Sequence, residues 1–144
     1  MRGLTWAARG IAVAGLAVDV YVHVHLASGY DVVQGHATPH LSQGQLFRVE
    51  AALALIALIL VLLPRRWPAA VAFLVAAGGV GAVLVYRYVD VGAIGPIPNM
   101  YEPFWYTEKT VSAVAEGIAA LASLVCLFAV PSQQPAIRRS KART

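Results

Sequence analysis

The chain has 144 residues, 59% of them hydrophobic and 12% charged, and its mean hydropathy is +0.68. A soluble domain carries about a quarter of its residues as charges, so this composition predicts an integral membrane protein and excludes a disordered chain, a nucleic-acid-binding domain and a secreted disulfide scaffold. The formal charge of +4 arises from 11 Lys plus Arg against 7 Asp plus Glu, and its placement along the chain argues for membrane topology rather than an acidic partner.

A helix needs ~20 mostly apolar residues to cross ~30 Å of hydrocarbon. Four stretches qualify, at about Ala7 to Leu26, Gly44 to Leu63, Ala69 to Tyr88 and Thr110 to Val130. The expected fold is an all-α integral membrane protein, four transmembrane helices in one antiparallel bundle over residues 1–130, followed by a basic, disordered cytoplasmic tail at 131–144. The first span carries Asp19, His23 and His25, which leaves only Gly10 to Val18 uninterrupted. That is the length of a signal-peptide core, with Arg2 and Arg9 before it and small residues near Ser28 after it. A retained helix is the preferred reading, because charged groups between core and cleavage site are unusual in such peptides.

Pro64-Arg65-Arg66-Trp67-Pro68 reads as a tight turn, one proline ending a helix and the other suiting the first turn of the next. The two other connections are longer. Ala27 to Ser42 contains Tyr30, Asp31, His36 and His40, and Val89 to Lys109 is dense in glycine, proline and aromatics. Tyr101, Phe104, Trp105 and Tyr106 form either an aromatic belt at the interface, the plainer reading, or a lid and partner-docking surface over the mouth of the bundle.

Basic residues favour cytoplasmic loops. Arg2 and Arg9, Arg65 and Arg66, and Arg138, Arg139, Lys141 and Arg143 would share one side, leaving Arg48, Arg87 and Lys109 for the other. Both termini are therefore expected in the cytoplasm. The scarcity of lysine beside abundant alanine and arginine suggests a GC-rich bacterial genome and hence a plasma membrane.

Ionisable groups inside a bilayer are costly and usually face a bundle interior or a water-filled cavity. At ~1.5 Å per residue, Asp19, Glu50 and Glu116 fall at a common depth of roughly 10 Å below the outer boundary. Arg48, His23 and Arg87 are placed to compensate them. Asp19 and His23 share a helical face with Ala8, Ala12 and Gly15, and Glu116 shares one with Lys109, Ser112 and Ser123. A polar pocket of Asp19, His23, Arg48, Glu50, Arg87 and Glu116 is expected in the outer third of the bundle. The alternative is an ion-paired network, Asp19 with His23 and Glu50 or Glu116 with Arg48 or Arg87, that only fixes helix register.

The four histidines, His23, His25, His36 and His40, lie within one short stretch and could converge on zinc or copper if the first helix frayed. His23 and His25 point to roughly opposite helix faces, and Pro39 opposes a helix through His36 and His40, so exposed loop histidines are the simpler reading. Bis-histidine haem ligation finds no histidine on the other spans. The single cysteine, Cys126, lies in an apolar run and excludes an intrachain disulfide or a CxxC pair.

No Gly-x-Ser-x-Gly, HExxH or phosphate-cradling loop is present, so no catalytic residue and no cofactor is assigned and the role leans non-enzymatic. The leading expectation is an accessory or scaffold subunit in the lipid bilayer, meeting a membrane-protein partner or its own copies, with no nucleic acid. The first alternative is a small transporter or ion-handling protein using the Asp/His/Glu cluster. The second is a redox subunit binding quinone or haem.

Overall fold

Each predicted span is a helix in the computed structural model, which describes residues 2–35 and 40–129. The order is α1 (Arg2–Ala27), a 3-10 turn (Ser28–Tyr30), α2 (Gln43–Val61), α3 (Arg66–Tyr88) and α4 (Thr107–Ala129). All four helices are long and apolar enough to cross a membrane. His36, Pro39, Val130 and the 131–144 tail lie outside the described residues.

The helix ends follow local chemistry more closely than hydropathy. α1 starts well before Ala7 because arginine and alanine are good helix formers that outweigh Gly3 and Gly10, and no proline intervenes before Ser28-Gly29. α2 stops at Val61, short of the apolar Leu62 and Leu63, since the residue before Pro64 is driven out of helical backbone. At its other end Ser42 forms a capping box: its hydroxyl accepts from Gln45 N at 3.0 Å, and the Gln45 side chain accepts from Ser42 N at 2.9 Å. Pro68 sits in the first turn of α3, where a missing N–H costs nothing.

The helices form a ring in which α1 packs on α2 and α4, and α3 packs on α2 and α4. Thr5 of α1 meets Cys126 of α4, while Asp19 of α1 meets Ser112 of α4. One end therefore carries the Pro64–Pro68 turn with the start of α1 and the finish of α4. The other carries the two long connections and is called here the connection end.

Alanine dominates the core. Ala12, Leu16, Ala54, Ala57, Val61, Ala72, Ala76 and Ala119 are essentially inaccessible and make one cluster in the middle of the ring. Lipid is as apolar as leucine, so helices associate by close backbone approach instead of by burying large side chains. Gly15 shows how close: a Cβ there would stand 2.7 Å from the Ala115 carbonyl oxygen. Large residues such as Leu53, Ile56, Leu74 and Leu121 face outward, which suits lipid and would be untenable over this area in water. On α3 the packing face is Ala69, Ala72, Ala76 and Gly79. Ala77 packs against the central cluster from its flank, and Gly78 and Ala82 are exposed.

Burial along α3 stops at Gly79. Beyond that point α2 and α3 border a cavity of about 190 Å³ at the connection end. The two connections cover that end. Leu41 N donates to the Pro96 carbonyl at 2.9 Å, and Ile94 and Ile97 close a tight turn with reciprocal bonds of 3.1 and 3.0 Å, for which Gly95 supplies a positive φ of 57°. Asp90 accepts from Asn99 Nδ2 at 2.8 Å and from Gly92 N at 3.1 Å, tying the second connection to itself.

Candidate functional site

Asp19 and Glu116 are fully buried, and His23 and Ser112 nearly so. One helical turn separates Asp19 from His23 on α1 and Ser112 from Glu116 on α4, so each helix contributes a stacked polar pair to a shared interface. His23 Nδ1 lies 2.6 Å from Asp19 Oδ1 and 3.1 Å from the Asp19 backbone oxygen. The Ser112 hydroxyl is 2.8 Å from Glu116 Oε1 and 3.4 Å from Asp19 Oδ1. A hydroxyl has one proton to donate, so Ser112 can satisfy only one of these carboxylates at a time. Asp19 Oδ2 and Glu116 Oε2 are buried with no hydrogen-bond partner.

Glu116 occupies this position because α3 offers no side chain opposite it. A Cβ at Gly79 would lie 2.9 Å from both Glu116 Cδ and Oε2, closer than carbon approaches without displacement. Gly79 thus leaves the room in which the Glu116 carboxyl lies, room that a larger residue would take only by turning that carboxyl aside, and no spacing rule in the sequence marks it.

The cavity lies directly above this group. His23, Glu50, Ser112, Tyr86 and Phe47 line it, and Met100, Glu102, Tyr106 and Lys109 close its far side. Phe47 packs edge-on against the His23 ring with centroids 5.2 Å apart and holds it toward Asp19. Glu50 is half-buried, and its Oε1 has no hydrogen-bond partner. Gly78 and Ala82 also line the cavity while remaining exposed on the flank of α3.

Above the cavity, the Tyr30 hydroxyl donates to Glu102 Oε1 at 3.1 Å and lies 2.9 Å from the Tyr106 hydroxyl. Lys109 Nζ donates to the Glu102 carbonyl at 2.7 Å and reaches Glu102 Oε2 at 3.6 Å. Burial and the bond to Tyr30 hold the Tyr106 hydroxyl above the ordinary tyrosine range, so it remains a neutral O–H. Sequence reading had no route to this cluster, because Tyr30 belongs to the first connection and Glu102, Tyr106 and Lys109 to the second and the first turn of α4, and the two groups meet only when the connections fold over.

The other expected site residues stand elsewhere. Arg48 is exposed and bonds Asp31 through both guanidinium nitrogens at 2.7 Å; that pairing, not Glu50 or Glu116, uses its charge. The carboxyl of Asp31 is held below its usual range by this arginine. Arg87 stacks over Tyr88 at 5.0 Å and Trp105 at 5.7 Å, against the cap. Of the three described histidines only His23 faces the polar group. His25 is exposed and stacks on Tyr21 at 5.8 Å, His40 is exposed, and His36 lies outside the described residues. Among the described residues, the ligand atoms that come together are those of Asp19, His23 and Glu116, all within 4.8 Å of one another. Phe104, Trp105 and Tyr101 are exposed on the cap, with Phe104 the most so at 73%.

One buried charge escaped the sequence reading altogether. Arg9, taken as a flanking basic residue, is only 3% exposed and stacks over Trp6 at 5.2 Å. Cys126 is a buried thiol within 3.9 Å of the Thr5 carbonyl.

These features define a multi-pass helical membrane protein with a buried acidic and imidazole group beneath a covered cavity. Compared with known proteins, the chain matches no family model, no curated protein and no solved structure.

Proposed function

We propose that this chain is an ion-handling protein of a bacterial plasma membrane, an antiparallel four-helix bundle with both termini in the cytoplasm. Its working site is the group Asp19, His23, Ser112 and Glu116, with Glu50 on the approach. The observation that carries this reading is the pair of fully buried carboxylates whose Oδ2 and Oε2 have no partner. Two carboxylates withdrawn from water at one place require positive charge, hydrogen-bond donors or a proton held between them. His23 and the one Ser112 proton supply part of that, and a bound cation supplies the rest.

Access is from the connection end, through the cavity over His23, Glu50 and Ser112. Passage farther along the bundle is blocked in this conformation by Ala12, Leu16, Ala54, Ala76 and Ala119. The cation is thus held on one side of a dry plug, the arrangement needed for alternating exposure. An accessory-subunit role remains a second reading, supported by the exposed Phe104, Trp105 and Tyr101 on the cap. It calls for a partner released at fixed stoichiometry on gentle extraction.

Reconstitution in vesicles loaded with a proton- or metal-sensitive dye tests the ion-handling reading. The wild-type chain is expected to dissipate an imposed cation gradient, and Glu116→Gln to remove most of that flux while keeping its helical content. Equal flux from both proteins, or none from either, would remove the reading.

A further inference from the structure

We infer that Asp19, His23 and Glu116 form a binding site for one divalent first-row transition-metal ion, zinc or manganese in class. The inference rests on the ion-handling reading of the same residues and names the cation.

Several features support it together. The three residues offer one nitrogen and two carboxylate oxygens, all within 4.8 Å of one another. Ligand atoms bound to an ion at ~2.1 Å stand about 3.0 to 3.5 Å apart, a spacing that small side-chain rotations reach. Asp19 Oδ2 and Glu116 Oε2, two of the buried oxygens left without a hydrogen-bond partner, belong to these fully buried ligands. The donor set is also selective. Imidazole with carboxylate suits zinc, manganese, iron or cobalt, whereas calcium and magnesium prefer all-oxygen shells and copper(I) prefers sulfur. Two carboxylates and a neutral imidazole balance a dication in charge, which a sodium or potassium ion would not do.

The surroundings complete the site. Gly79 leaves the space Glu116 occupies, and Ser112 orients Glu116 through the 2.8 Å bond, as supporting hydrogen bonds orient metal ligands generally. The cavity of about 190 Å³ is large enough for several waters at ~30 Å³ each, so open coordination positions can be filled without further side chains. Glu50 and Glu102 line the way in and favour a cation, with Lys109 limiting the net charge at the mouth.

The experiment uses the tag-free full chain in detergent or nanodiscs, titrated with Co²⁺, whose visible bands report coordination, and then with Zn²⁺ as competitor. One Co²⁺ per chain is expected, displaced by Zn²⁺. Binding should weaken by at least about tenfold, the scale of losing even a supporting partner of a ligand, in D19N, H23Q and E116Q. It should persist in H25Q and in the H36Q/H40Q double variant. H23Q removes a nitrogen donor without touching either carboxylate and serves where a carboxamide variant does not fold. Absence of cobalt bands in the wild type, or loss of binding only with His25, His36 or His40, overturns the site. If Co²⁺ does not bind but E116Q still abolishes proton flux, the metal assignment falls and the ion-handling reading stands. If Co²⁺ binds as expected and no flux depends on Glu116, the metal site stands and the ion-handling reading falls.

Discussion

Gly79 and Glu116 show how a single residue decides what the interior can hold. The glycine contributes nothing chemically, yet any side chain there would occupy the space of the Glu116 carboxyl. Gly79→Ala is therefore expected to turn the Glu116 carboxyl aside and to melt below Gly78→Ala, by at most about the 1–3 kcal/mol that overpacking a filled site costs. The measurement is thermal unfolding in detergent, with Gly78→Ala as the control because nothing lies within 4 Å of its Cβ position. Equal melting temperatures for the two variants would show that the Glu116 seat is looser than this geometry requires. The same contact makes Gly79 a determinant of the site: an alanine that pushes Glu116 aside should also weaken cation binding.

At the scale of elements, Asp31 joins α2 to the end of α1. It accepts both Arg48 bonds at 2.7 Å and one from the Ser42 hydroxyl at 3.3 Å, and Gly44 of α2 presses against the same carboxylate and the Ala27 carbonyl. Arg48 holds the Asp31 carboxyl below its ordinary value of 3.8. A group whose value is lowered on folding stabilises the folded state above its unfolded value, and that contribution is lost as pH falls through the folded one. Asp31→Asn should therefore melt below wild type at neutral pH, and the gap should close as the pH is taken below 3.8. A gap that is constant with pH would assign the effect to packing alone. Ser42 belongs to the same joint, where its hydroxyl both caps α2 and reaches Asp31.

The whole molecule divides into two ends of different character. Every acidic residue, from Asp19 and Asp31 to Glu108 and Glu116, belongs to the connection end or to the helix turns beneath it, while the Arg65-Arg66 turn marks the other. Such asymmetry orients a multi-pass chain with its basic loops in the cytoplasm. The test is labelling by a membrane-impermeant thiol reagent in a Cys126→Ala background, with one cysteine introduced at Phe104 or Trp67, both exposed. Phe104→Cys should react in intact cells and Trp67→Cys only after lysis. The reverse pattern would invert the bundle and place the cavity mouth toward the cytoplasm.

Element identity was legible because it follows from a one-dimensional rule: some twenty apolar residues make a span. The shared face of Asp19 and His23, and that of Ser112 and Glu116, followed from helical periodicity in the same way. What no local rule contains is which face meets which. Tertiary packing decided that α1 and α4 oppose their polar faces, and that Gly79 rather than Gly78 or Gly81 sits opposite Glu116. It also decided that Arg48 turns to Asp31 and leaves Glu50 facing the cavity. The physical reason is that in lipid many small-residue stripes can pack almost equally well. The choice among them rests on a few contacts between residues distant in the chain, such as Ser112 with Asp19 and Tyr30 with Tyr106. Composition and periodicity thus determine a four-span protein with buried charge at one end, and the fit between helices determines that Asp19, His23 and Glu116 share one site.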